Sequence, residues 1–170
     1  IGAEDVVLDA KIQREGHKLF IDPSNVMPHR RRRPFKPYMK QMRNYGYTRM
    51  VANKRWPEIA TWSHTAIGFF PWLTVAAVLA LVAGIATGGA TEYPWFSIEG
   101  EWTLSRLAVH GTLGLMGLYV GLSWLGAAIG TSPHRSVGTV ALAPLFVFLA
   151  HWAYGQGVNK AWREIPVSYT

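Results

Sequence analysis

The sequence predicts an all-α membrane protein, three transmembrane helices behind an extended basic N-terminal arm. Three apolar stretches, at about 61–88, 104–130 and 138–158, each have the length needed to cross a hydrocarbon core of roughly 30 Å. The basic side chains are segregated from them. Of the 17 Lys and Arg, 13 fall within the first 57 residues, so the formal charge of +7 belongs mostly to the arm. The two halves therefore divide as a water-facing, loop-rich arm over 1–57 and a membrane domain over 58–170.

Taken in order, Asp5-Val-Val-Leu-Asp-Ala-Lys-Ile suits a short amphipathic helix or a strand equally. The stretch Ile21-Asp-Pro-Ser-Asn-Val-Met-Pro-His has turn chemistry, and Pro23 and Pro28 predict an extended loop. Next come Arg30, Arg31, Arg32 and Arg33, then a basic run interleaved with Phe35, Tyr38, Tyr45 and Tyr47. Single-stranded nucleic acid could stack on such a run. A position ahead of a membrane span points instead to anionic lipid headgroups or acidic faces of neighbouring subunits, with the arm on the cytoplasmic or stromal side and no nucleic-acid partner.

Pro57 and Glu58 suit a first helical turn, where a missing N–H costs little and an acid meets the positive end of the dipole. In the first span Pro71 predicts a kink, and Gly84-x-x-x-Gly88 a close helix contact. The connection 89–100 carries Glu92 and Glu99 and no basic residue, which places it on the translocated side. The second span returns to Ser132-Pro-His-Arg, and the third leaves the tail on the translocated side, opposite the arm. The chain begins at Ile1, which suggests a processed targeting presequence.

The second span holds the most informative pattern. His110, Gly114, Gly117 and Gly121, at steps of four, three and four, share one helical face, so an imidazole heads a groove without side chains. A neighbouring helix packing on Gly-x-x-x-Gly could fill it, with His110 bonding across the interface. A planar macrocycle, haem or chlorophyll, could lie on the glycines while His110 ligates its metal. At 1.5 Å per residue His110 is roughly 12 Å from the translocated side, and His151 in the third span is at a similar distance, so the two are expected nearly level. That spacing suits a bis-imidazole haem b, with His110 and His151 as metal ligands. Chlorophyll asks for one ligand per magnesium, and His64, His110 and His151 could each supply one.

The absence of cysteine excludes disulfides, thiolate zinc sites, iron–sulfur clusters and covalent c-type haem within the chain. Ser-His-Asp, paired-carboxylate, H-E-x-x-H and Walker arrangements are missing as well, so the chain is expected not to be an enzyme.

At the start of the second span, Glu101-Trp-Thr-Leu-Ser-Arg-Leu-Ala-Val-His-Gly resembles the E-x-x-N-x-R-L-A-M-x-G signature of the chlorophyll-binding helices of the light-harvesting family. Glu101, Arg106, Leu107, Ala108 and Gly111 match, while Leu104 stands where the Asn or His ligand would be. The resemblance covers about 14 of 170 residues and implies a role for Glu101 in binding chlorophyll magnesium. The resulting expectation is an accessory subunit of a multi-subunit photosynthetic complex in a thylakoid or other photosynthetic membrane. It would bind chlorophyll or bacteriochlorophyll and carotenoid through His110, His151, His64, Glu101, Gly114 and Gly117, and fasten other membrane subunits. The alternative is a haem b-carrying or structural subunit of a respiratory electron-transfer complex.

Overall fold

The computed structural model describes residues 4–25, 35–87, 103–130 and 136–164, and the regular elements in them are all helical. Three helices are long and apolar enough to cross a membrane: Trp62–Ala86, Leu104–Ile129 and Val137–Glu164. Arg30 to Arg33, the connection 89–100 and Glu101 lie outside the described residues.

Helix α1, Glu4–Arg14, decides between the helix and strand expected there. It ends in a Schellman turn. Gly16 takes φ +84°, a value costly for any residue with a Cβ, while its N–H bonds to Gln13 O and the His17 N–H to Ile12 O. The expected loop chemistry holds at Asp22, whose carboxylate accepts from the Ser24 hydroxyl at 2.6 Å and the Ser24 N–H at 2.9 Å. Those two bonds hold its carboxyl below the ordinary value.

The arm is not loop throughout. Phe35–Arg55 forms a 21-residue helix, α2, and this corrects the loop-rich reading of 1–57. Pro37 falls in its first turn, where the missing N–H breaks no helical bond. Its buried residues are Gly46, Met50, Val51, Ala52 and Asn53, so tertiary packing supplies what a polar sequence of this length lacks.

The first span is broken where Pro71 acts. A short helix α3, Trp62–Ala66, passes through a 3₁₀ turn, Ile67–Phe69, into α4, Phe70–Ala86. Proline has no N–H to give to Ile67 O four residues back, so the Phe70 N–H takes that carbonyl instead and the turn tightens. Helix α5, Leu104–Ile129, starts at Thr103, whose hydroxyl accepts from the Arg106 N–H at 3.3 Å. Helix α6, Val137–Glu164, runs six residues past the expected end at Val158 and carries Pro144 inside it.

The described chain divides into two compact units, 1–71 with 149–170, and 72–148. In the first unit α2 lies against the C-terminal part of α6. Gly46 meets the Tyr154 carbonyl and Gly157 meets the Arg43 carbonyl, contacts so close that neither position has room for a Cβ. Met50, Val51, Val158 and Ala161 form the core between them, flanked by Tyr47 and Tyr154. Lys54 Nζ closes the end of this contact by donating to Trp162 O at 2.8 Å.

The start of the first span packs on the same part of α6. Gly155 faces Pro71 and the Ile67 carbonyl, Gly68 faces Val158, and Asn159 Nδ2 donates to Gly68 O at 2.7 Å. The start of the first span, α2 and the end of α6 thus come together in the first unit.

In the second unit the Gly84 contact expected in the first span is present. A Cβ there would lie 2.8 Å from Val109 Cγ2 and 3.0 Å from Ser105 O, and Thr87 Oγ1 bonds Ser105 Oγ at 2.7 Å. Trp124 Nε1 donates to Ala141 O at 3.3 Å beside the α5–α6 connection. Beyond these contacts little is covered. Only 6 to 11% of the residues in each apolar window are buried by the chain itself, against the larger share that a self-contained bundle would bury.

Candidate cofactor-binding face

Helix α5 packs on α4 through Ser105, Ala108 and Val109, and Arg106, Val109 and Thr112 are its buried residues. At 100° per residue, His110, Gly114, Gly117 and Gly121 lie on a different side of the helix from Val109 and Thr112. The structure leaves that side open: a Cβ on Gly114, Gly117 or Gly121 would meet nothing within 4 Å. Among the described residues of the second unit none packs on these glycines, and the contact of α5 with α4 uses Gly84 instead.

The imidazole of His110 is fixed by its own helix. Nδ1 is 2.9 Å from the Arg106 backbone oxygen, one turn back. A carbonyl can only accept, so Nδ1 carries the proton and Nε2 the lone pair. That is the tautomer an axial metal ligand requires, with the second nitrogen held by a backbone carbonyl as ligating imidazoles usually are. A flat macrocycle therefore fits the residues present: a nitrogen donor at the head of an uncovered glycine surface.

The other predicted positions have different surroundings. His151 lies in the first unit with its ring edge-on to Phe70, centroids 5.3 Å apart at 66°. His64 sits in α3, its Nδ1 in a hydrogen bond with the Thr61 hydroxyl. His110 belongs to the second unit and is the only histidine among its described residues. Among the described residues no group of three or more His, Cys, Asp or Glu comes together to hold a metal ion. A metal carried by a macrocycle needs only one or two protein ligands.

A second group of polar residues escaped the sequence reading. Arg49 and Asn53, one turn apart on α2, reach Thr61 and Thr65, one turn apart on the other segment, at 3.4 Å in both cases. Arg49 reads as one more charge in a basic run. The signal that could have singled out this face is the spacing Gly46, Met50, Asn53, a helical period inside a polar stretch.

No protein-family model, curated protein or solved structure matches the chain.

Proposed function

We propose that this chain is an accessory integral membrane subunit of a multi-subunit photosynthetic complex, in which α5 holds a chlorophyll through His110 and the remaining apolar faces dock neighbouring subunits. The observation that carries this reading is the pairing of His110, whose Nδ1 is 2.9 Å from the Arg106 carbonyl, with a glycine face that no described residue covers. The Arg106 carbonyl orients the ring and leaves Nε2 as the donor atom. Gly114, Gly117 and Gly121 let a planar group approach the helix backbone, and the exposed Leu107 and Leu118 on neighbouring positions give its edges an apolar border. The chlorophyll, when bound, supplies light absorption and excitation transfer. The residues named here bind and orient it and keep water from its face.

Chlorophyll asks for a single axial ligand, and His110 offers one nitrogen donor for it. The low self-burial of the three apolar helices supports the accessory role: their surfaces are left for lipid and for other subunits.

The test is the absorption spectrum of the protein purified in mild detergent with its partners. The proposal expects a red chlorophyll band that His110→Leu removes while the other subunits still co-purify. A band near the haem b position after dithionite reduction, or a red band indifferent to His110→Leu, would overturn the assignment of His110 to chlorophyll.

A further inference from the structure

The polar cluster around Arg49 is not used by the pigment reading. Arg49 is only half-exposed, and its Nη2 donates to a neutral partner, Thr61 Oγ1. Among the described residues no carboxylate lies within ion-pair distance of it. Thr61 passes the interaction on to His64 Nδ1. With its oxygen accepting from Arg49, the Thr61 proton is left for Nδ1, and the neutral ring then carries its N–H at Nε2. The group thus presents donors with no anion to receive them.

Three buried polar atoms here have no hydrogen-bond partner: Arg49 Nε, Asn53 Oδ1 and Tyr154 OH. Asn53 is 7% exposed. One such atom costs free energy and is uncommon, and a half-buried guanidinium whose own Nε is unsatisfied, with two more such atoms on Asn53 and Tyr154, marks a place completed by something from outside the chain. The charge of Arg49 acts on both His64 and Tyr154, so the three elements that supply these groups share one electrostatic environment. More positive charge lies on the same unit at Lys54, Arg55, Lys160 and Arg163.

We propose that Arg49, with Thr61 and His64, binds the phosphate of an anionic glycerolipid headgroup, whose acyl chains lie against Trp62 and Phe69. The position argues for a lipid. Thr61 immediately precedes the candidate span Trp62–Ala86, where headgroups meet a membrane protein, and Trp62 and Phe69 are 75% and 53% exposed beside it. Free phosphate would satisfy the same donors but has no use for those apolar neighbours. A guanidinium suits the ligand because its planar fork donates two parallel bonds to phosphate oxygens.

The experiment uses the full chain, delipidated in detergent and reconstituted into vesicles of phosphatidylcholine with or without phosphatidylglycerol, with lipid retention on re-extraction read by native mass spectrometry. The wild type retains phosphatidylglycerol in preference to phosphatidylcholine, and Arg49→Gln lowers that retention about tenfold. Arg163→Gln, which removes an exposed charge elsewhere on the unit, changes it less than about twofold. Thr61→Val, at the exposed mouth, lowers retention severalfold without touching the α2–α6 core, which keeps the test decisive if Arg49→Gln fails to fold. Equal retention by the Arg49→Gln and Arg163→Gln variants, or no preference for the anionic lipid, would overturn the proposal. Release of the bound lipid by millimolar inorganic phosphate would assign the site to a soluble anion and overturn it equally.

Discussion

A methyl group added to Gly46 or Gly157 would fall onto a backbone carbonyl of the facing helix, of Tyr154 in the first case and Arg43 in the second. Backbone cannot move aside as a flexible side chain can, so α2 and α6 would have to separate and give up the packing of Met50, Val51, Val158 and Ala161. Gly46→Ala and Gly157→Ala are each expected to destabilise the protein by about 3 kcal/mol or more, at the upper end of what overpacking costs. Gly117→Ala is the control. Its Cβ meets nothing, and replacing a mid-helix glycine gains up to about 1 kcal/mol of helix propensity. Thermal unfolding in one detergent should therefore order the variants Gly117→Ala at or above the wild type, with Gly46→Ala and Gly157→Ala well below it. On the pigment site proposed above, Gly117→Ala would lift the ring off the α5 backbone, so chlorophyll content should fall in a variant whose stability has not.

At the scale of elements, the legible ones were those whose own composition decides their structure. The three apolar helices announce themselves because no other structure satisfies twenty or so backbone groups in lipid. The break before Pro71 was legible in kind, although the tightening falls on Ile67–Phe69, the turn that loses its acceptor pairing. Helix α2 was not legible. Lys, Arg, Asn and Tyr dominate it, Pro37 interrupts its start and Gly46 its middle, and a strip of buried residues becomes an interface only once α6 is beside it. The two candidate sites divide in the same way. His110 and its glycines lie on one helix and could be counted off by period, whereas Arg49, Thr61, His64 and Tyr154 come from three separated segments. Because α2 depends on its contact, Gly157→Val should raise amide hydrogen exchange in α2 by orders of magnitude while exchange in α5 stays as in the wild type. Equal protection of α2 in both proteins would show the helix to be stable by itself.

At the scale of the molecule, the arm is part of a packed unit instead of a tether hanging from a bundle. Ile67–Pro71 and α2 both lie on the stretch Gly155–Asn159 of α6, and three helices of the chain are long and apolar enough to cross a membrane. The natural absence of cysteine makes single-cysteine variants clean reporters of sidedness. Lys40→Cys on the exposed side of α2 and Glu164→Cys at the end of α6 should react with a membrane-impermeant maleimide from the same side of sealed vesicles. Labelling of the two positions from opposite sides would contradict the packing of α2 on the end of α6.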